Sequence, residues 1–421
     1  MEADVAVIGC GRVGLPLALS FADRGLRTIG IENDPARIDA VRAGRMPFDE
    51  PEAQAALTRV TRAQTISWSE RLVDAARARA IVITLGTPSF SHIEIDISAI
   101  RGALDDLLPV LRPGHLLVLR STIAPGTTDF VAGYLGRHRD LEVGEDVLVA
   151  HVPERIAAGR FFEEIGTLPC IVGGVGAKSA EAAASLFEVF GAPIRQTTPI
   201  QAELAKIWTN IYRYAHFALP NRLMMECETY GANVFEVIDL INRDYPRGGM
   251  PQPGLTAGTC LRKDFSFSEE RSPAPGMLLA VSRVHETVPL FLVEGLKRRL
   301  GGSLAGLKVA VLGLAFKADT DDERDSLAHK LVRLLERELA DVAIHDPIVQ
   351  TPTQSLEEAL DEADAMVVAT NHTSFRDSGV LRRMTEGAKP HAVVADPWDT
   401  WGAAQVFSHA DELLALTPVP R

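Results

Sequence analysis

"VAVIGCGRVGLPLALSFADRG", residues 5–25, begins as an apolar run, turns on three glycines and continues as an apolar helical pattern. Gly9, Gly11 and Gly14 stand in G-x-G-x-x-G spacing. Glycines at these places let the backbone approach a pyrophosphate, and the N–H groups and dipole of the helix that follows face the anion. Alone the triplet is weak, because a glycine turn that binds nothing is spelled the same way. The context strengthens it: the next run, "RTIGIE", ends at Glu32, where a carboxylate can accept hydrogen bonds from both adenosine ribose hydroxyls and repels a 2′-phosphate. NAD is therefore the expected cofactor, in preference to NADP. Cys10, at a variable position of the loop, reads as a small packing residue.

The same rhythm extends outward. "AIVITLG", "HLLVLRST", "DVLVAHVPE" and "LPCIVGG" alternate with stretches rich in Ala, Leu and Arg, as in a parallel sheet with crossover helices. From about Pro199 to Leu300 strand signals stop and long helices are expected, with Pro220 kinking or ending one of them. Beyond "LGGSLAGLK" four more buried parallel strands are expected in "KVAVLGLAF", "DVAIHDP", "DAMVVAT" and "HAVVADP". The expected fold is α/β: two doubly wound parallel-sheet domains, residues 1–198 and 301–421, joined by an all-helical domain over 199–300.

Composition narrows the function classes. The 421 residues are 46% hydrophobic and 24% charged, and no apolar run approaches the ~18 residues of a membrane span. No signal-peptide pattern precedes the first strand, so a cytoplasmic protein without a membrane partner is expected. A net charge of −13 disfavours nucleic acid as a partner. Cys10, Cys170, Cys227 and Cys260 lack the paired spacing of a zinc site or disulfide framework, so no metal is expected.

Cys260 is the cysteine that needs an explanation. A thiol becomes nucleophilic when a cation or helix N-terminus lowers its pKa, and Arg262 and Lys263 follow it directly. The preceding "YPRGGMPQPGLTAGTC" is too rich in Gly and Pro for regular structure and reads as a shaped loop leading to a reactive group. Upstream, Glu203, Lys206 and Asn210 share one helix face, which is either a solvated face or part of a site. A packing role is the commoner fate of an isolated cysteine.

In order along nearly the whole chain, "GCGRVGLPLA", "LGTP", "STIAPGTT", "PERIAAGR", "ELAKIWTN", "AGTCLRKD" and "VLGLAFKADTDDERDS" resemble the UDP-sugar 6-dehydrogenases. The resemblance implies a Rossmann-like NAD domain, a helical domain that forms a homodimer, and a C-terminal domain that holds the UDP-sugar. It implies a four-electron oxidation of the C6 alcohol to a uronic acid, with Cys260 forming a thiohemiacetal and then a thioester. Lys206 and Asn210 would stabilise the oxyanion, Asp264 would take part in proton transfer, Glu154 would be the base for hydrolysis, and Thr122 would place water and nicotinamide. Cofactor contacts implied are Gly9, Gly11, Arg12, Val13, Gly14, Glu32, Arg37, Thr87, Thr122 and Arg324. Substrate contacts implied are Glu154, Arg155, Lys206, Asn210, Arg247, Gly258, Phe316 and Lys317, with Arg247 acting across the dimer.

Two positions depart from the family pattern, of which the second bears on the sugar. Ala257-Gly258 replaces the usual Gly-Gly, and Ala158 stands where UDP-glucose dehydrogenases commonly carry a second glutamate. With the "PER" form, this favours UDP-N-acetylmannosamine or UDP-N-acetylglucosamine, with UDP-glucose as the alternative. A two-electron hydroxy-acid dehydrogenase and a catalytically silent nucleotide-binding scaffold are the rival readings. "ERSPAPGM", residues 270–277, has no assigned purpose.

Overall fold

The computed structural model describes residues 2–86, 98–138, 141–256, 258–269 and 275–414. The opening stretch forms β1 (Ala3–Ile8) and the helix Gly14–Asp23. Around it stand β2 (Thr28–Ile31), β3 (Ile66–Ser69), β4 (Ala78–Ile83), β5 (Leu116–Leu119), β6 (Leu148–His151), β7 (Cys170–Gly174) and β8 (Ile194–Thr197). Their order is β3-β2-β1-β4-β5-β6-β7-β8, so the direction of strand addition reverses between β1 and β4.

Alternation explains why the last four positions of the central strands β1 and β4 are all apolar. Val5, Val7, Ala80 and Val82 face Leu17, Phe21 and Phe187, whereas Ala6, Ile8, Ile81 and Ile83 face Ile100, Leu104 and Leu107. Each face is thus covered, which the near-continuous hydrophobic runs require. Each fully buried Leu or Ile contributes roughly 1.5–3 kcal/mol relative to exposure.

The sheet departs from the all-parallel expectation at one step, where β6 pairs with β7 antiparallel. Only the four-residue helix Phe161–Glu164 lies on the connection between them. A parallel return needs a crossover, usually a helix long enough to traverse the sheet, and that one is too short.

The second sheet contains β9 (Lys308–Leu312), β10 (Asp341–His345), β11 (Ala365–Val368), β12 (Val393–Ala395) and β13 (Phe407–His409), in the order β10-β9-β11-β12-β13. Its last pairing is antiparallel. Val309 and Val311 pack with Val288, Leu292, Leu331 and Leu335, while Ala310 and Leu312 meet Phe375 and Met384.

The middle of the chain is helical: Pro199–Tyr230, Val234–Asn242, Thr259–Glu269 and Met277–Arg299. Of the two outcomes expected at Pro220, a kink or an end, the helix does not end there but continues to Tyr230. A mid-helix proline costs about 3 kcal/mol. Burial of Ala218, Met224 and Cys227 on either side offsets it.

The chain forms two compact units, Met1–Thr209 with Ser266–Arg271, and Asn210–Phe265 with Ser272–Arg421. Among the described residues no helix is long and apolar enough to cross a membrane.

Candidate active site

In the first unit the expected residues gather at the C-terminal edge of the parallel strands, beside the point where strand order reverses. That is where open α/β sheets bind ligands. A Cβ on Gly14 would lie 2.1 Å from the Gly9 carbonyl oxygen and 2.3 Å from Thr84 Oγ1, so only glycine fits. The Thr84 hydroxyl, just after β4, reaches the carbonyls of Ile8 and Gly9 at 2.8 and 2.7 Å and pins the turn. Among the described residues no side chain caps the helix Gly14–Asp23; its Leu15 amide is bonded to the Gly11 carbonyl at 2.9 Å and Pro16 has no N–H, so what this end offers an anion is the glycine turn and the positive end of the helix dipole. Val13 is its N-cap residue, and the Arg12 guanidinium lies 5.1 Å from the centre of the Phe48 ring.

Glu32 is buried at the end of β2. Its Oε1 accepts from the amides of Asn33 and Asp34, both at 2.9 Å, and Oε2 is 3.5 Å from Arg37 Nη1. The turn, the uncapped helix and this fixed carboxylate fit an NAD pyrophosphate and ribose. Cys10 packs with Leu15 and Leu57, and burial pushes its thiol pKa far up, as suits a core residue. Thr87 lies outside the described residues.

Thr122 follows β5 and Glu154 follows β6, on the same strand edge as Gly9. Glu154 Oε2 pairs with Arg120 at 2.5 Å, and its Oε1 accepts from the Ile156 amide at 2.7 Å. Arg120 is itself buried, bonded to the carbonyls of Val152 and Pro153 and lying 4.9 Å from the centre of the Phe187 ring. Arg155 donates to the Pro169 carbonyl. A cavity of about 30 Å³, water-sized, is lined by Arg120, Glu154, Arg155 and Cys170 among others. Sequence reasoning overlooked Arg120. Its signal was a lone cation inside the apolar run "HLLVLRST", which demands a partner.

The helix Pro199–Tyr230 carries Glu203, Lys206 and Asn210, all buried, which rules out a solvated face. Glu203 accepts from the amides of Gly126 and Thr128 and from the Thr128 hydroxyl. It therefore fixes the turn that opens the helix Thr127–His138, and burial raises its pKa. Near Lys206, His151 is held neutral with a pKa of about 3, first by burial and then by the charges of Arg120 and Lys206.

In the second unit Cys260 is exposed on the first turn of Thr259–Glu269. Asp264, one turn further along, is buried and accepts from Asn210 Nδ2 at 2.6 Å. Before the cysteine, Gly258 has φ +97°, and a Cβ there would come within 2.5 Å of the Phe316 ring. Two expected substrate residues are thus in contact.

Of the two cations expected beside the thiol, Arg262 and Lys263, Arg262 bonds the Asp325 carbonyl at 3.0 Å and pairs with Glu286 at 2.7 Å. Arg324 is a further cation whose charge responds to the cysteine. Paired with Asp322 at 2.7 Å, it has a pKa raised first by that bond and further by the charge of Cys260.

Phe316 and the exposed Lys317 lie on a strap after β9. Asp346 Oδ2 accepts from the amides of Leu314 and Ala315 at 2.6 and 3.1 Å and from His372 Nε2 at 3.1 Å. Burial raises the Asp346 pKa, but the His372 bond and the amide donors outweigh it and hold the carboxyl below its usual range. Arg247 stays exposed, 5.0 Å from the centre of the Tyr245 ring and bonded to the Tyr245 hydroxyl at 2.9 Å.

Three models of the UDP-glucose/GDP-mannose dehydrogenase family match the chain: the NAD-binding domain over 3–191, the central domain over 200–286 and the UDP-binding domain over 310–402. The UDP-N-acetyl-D-mannosamine dehydrogenase of Pyrococcus horikoshii is 34% identical, over 88% of this chain and 90% of the relative. The chain belongs to the UDP-glucose/GDP-mannose dehydrogenase family. As a member it is an NAD-dependent oxidoreductase, and the glycine turn and Glu32 lie in the family's NAD-binding domain. Cys260 falls in the family's central domain, and Phe316, Lys317 and Arg324 in its UDP-binding domain. The NDP-N-acetyl-D-galactosaminuronic acid dehydrogenase of Ralstonia nicotianae is 31% identical over 96% of this chain and 97% of the relative. A solved structure of the P. horikoshii UDP-D-ManNAc dehydrogenase superposes with a TM-score of 0.87 at 32% identity, covering 93% of this chain and 94% of that one.

Proposed function

We propose that this enzyme oxidises the C6 alcohol of a UDP-N-acetylhexosamine to the carboxylate by way of a thiohemiacetal and a thioester on Cys260. The observation that carries the reading is the cluster in the second unit: exposed Cys260, Asp264 one turn on, and Asn210 bonded to it at 2.6 Å. Both named relatives act, by their names, in the chemistry of N-acetylated hexosamines, which supports the sugar class. Ala158 and the "PER" motif point the same way.

The C6 hydroxyl must lose its proton while negative charge on its oxygen is stabilised. Lys206, buried and one turn before Asn210 on the same helix, supplies the positive charge. Asn210 keeps a second amide N–H beyond the one given to Asp264 and serves as a neutral donor. Asp264 takes part in moving the hydroxyl proton toward water. NAD, when bound, accepts the hydride from C6 in both oxidations.

Cys260 then adds to the aldehyde carbon: the S–C bond forms as the C=O electron pair moves to oxygen. The thiohemiacetal keeps one C–H bond and cannot diffuse away, which is why covalent capture serves a second oxidation. Water adds to the resulting thioester, the C–S bond breaks, and thiol and carboxylate are released. Glu154, its direction fixed by Arg120 and the Ile156 amide, receives the proton of that water. Thr122 positions the water and the nicotinamide.

The three family matches support functional parts at 1–198, 199–300 and 301–421. Ile200, Leu204, Trp208 and Tyr212 recur every four residues on the long helix and are all exposed, which supports a homodimer through that helix; the cytoplasm is its proposed compartment. Light scattering should give twice the chain mass, and a monomer would refute the dimer.

The test is incubation with NAD⁺ and UDP-ManNAc, UDP-GlcNAc or UDP-glucose. Two NADH per acid with an N-acetylated sugar is expected, and Cys260→Ala should make no acid while remaining folded. No NADH with any of the three overturns the proposal. One NADH per aldehyde would show a two-electron dehydrogenase.

A further inference from the structure

The segment leading into Cys260 is held by a side chain that the mechanism does not use. Asn221 is fully buried. Its Oδ1 accepts from the Gly254 amide at 2.8 Å, and its Nδ2 donates to the Gly254 carbonyl at 2.9 Å and to His285 Nδ1 at 3.2 Å. His285, also fully buried, has Nε2 at 2.8 Å from the Tyr214 carbonyl. A carbonyl only accepts, so the proton is on Nε2 and Nδ1 is free to accept from Asn221. Gly254 has φ +156°, and a Cβ there would meet the Trp398 ring at 2.3 Å, so the backbone passes here in one way only.

Asn210 and Asn221 are eleven residues apart on one continuous helix. At about 100° per residue this returns to within roughly 20° of the same face, about 16 Å along the axis. One asparagine is bonded to Asp264, after the cysteine, and the other to Gly254, before it. The rings of Tyr214 and His285 stack at 4.2 Å, and Tyr214 also stacks with Phe265, adjacent to Asp264.

We infer that Asn221, oriented by His285, is a positioning residue that braces the Gly254–Asp264 segment and so sets the reach of Cys260. The inference rests on Cys260 being the nucleophile. A displacement of about 1 Å in a reacting group costs on the order of 10²-fold in rate. The two oxidations depend on it unequally, because the first needs no sulfur. A loosened brace therefore lets aldehyde escape before capture.

Asn221→Asp keeps the size but places an acceptor opposite the Gly254 carbonyl and His285 Nδ1. The expected result is a kcat for acid formation lowered about 10- to 100-fold with the UDP-sugar KM within about threefold, and aldehyde trapped by semicarbazide that the wild type does not release. The rate of Cys260 alkylation by iodoacetamide, read on its peptide by mass spectrometry, should change at least threefold. His285→Gln, which can keep both hydrogen bonds, should retain most activity, whereas His285→Phe should behave as Asn221→Asp does. A merely structural role would lower thermal stability alike in all three and release no aldehyde. Wild-type kcat and alkylation rate in folded Asn221→Asp overturn the inference. If that variant does not fold, equal behaviour of His285→Gln and His285→Phe does so. Alkylation needs no substrate, so it still reads the brace if the wild type oxidises no UDP-sugar, an outcome that would instead remove the proposed function.

Discussion

Glu154 shows how a single side chain limits what its neighbours can do. Both of its oxygens are engaged, one by Arg120 and one by a backbone amide, so it can turn toward water only along a fixed direction. Glu154→Gln preserves the size and the Arg120 contact through its carbonyl but cannot take a proton. Acid release should fall about 10²- to 10⁴-fold, the range for a lost general base. Oxidation ahead of hydrolysis should continue, so a thioester should accumulate on Cys260, visible as a mass increase on its peptide. Loss of activity without the adduct would assign Glu154 to an earlier step. Glu154 and Cys260 could be singled out from the motifs that surround them, but their partners could not. Arg120 precedes Glu154 by 34 positions, and Arg324, whose charge responds to Cys260, follows it by 64. Relations at such separations are made by the fold: a lone cation in "HLLVLRST" announces that a partner is needed but not which one. That Arg262, which follows the thiol, also pairs with Glu286 and bonds the Asp325 carbonyl was likewise not readable from its neighbours in sequence.

At the scale of elements, the strap after β9 is shaped by what lies behind it. Asp346 takes the amides of Leu314 and Ala315, and His372 holds Asp346, so Phe316 reaches Gly258 from a supported backbone. Asp346→Asn replaces one acceptor oxygen with a donor facing these donors. The UDP-sugar KM should rise about tenfold, equivalent to ~1.4 kcal/mol, while the KM for NAD⁺ stays constant. An equal rise in both would mean general loss of structure instead of a displaced strap. The strands that build these sheets were readable wherever both faces are buried, since β1, β4, β9 and β11 carry runs of four apolar residues there. Those that escaped, β3, β8 and β13, are all sheet edges. β8 (Ile194–Thr197) exposes its two central residues and β13 has only three residues, so neither the run nor the alternation is long enough to read. β7 was read as a strand, but its antiparallel direction was not: direction is decided by the connection, and "PERIAAGR" reads as a motif without revealing that the chain turns back there.

For the whole molecule, pH should act through a few buried groups whose effects oppose each other. Asp396, fully buried after β12, accepts from the amides of Trp398 and Thr400 and the Thr400 hydroxyl. Burial outweighs these donors and raises its pKa to about 7. A carboxyl whose folded pKa exceeds its unfolded value stabilises the fold most below the unfolded value, and that stability is lost as pH rises through the folded one. For Asp396 the window runs from the ordinary carboxyl value of 3.8 to about 7. The difference is on the order of 4 kcal/mol at ~1.4 kcal/mol per unit. His151 and His285, held neutral by burial with pKa values of about 3 and about 4, work in the other direction. Each bears a proton in the unfolded chain below about 6.5, so their contribution to stability grows as pH rises from about 4 to 6.5. Stability should therefore rise with pH up to about 6.5 and level off or fall slightly as Asp396 becomes the remaining group. Asp396→Asn removes the opposing contribution but gives up at least one of the three bonds, so its absolute stability is not the measure. Its stability relative to wild type is: that difference should move in favour of asparagine as pH rises from 4 to 7, by up to a few kcal/mol. Urea unfolding followed by tryptophan fluorescence can report it, because Trp398 and Trp401 stand next to Asp396 in sequence. A difference that stays constant across that range would mean that Asp396 is ionised in the folded protein throughout, with its three donors outweighing its burial.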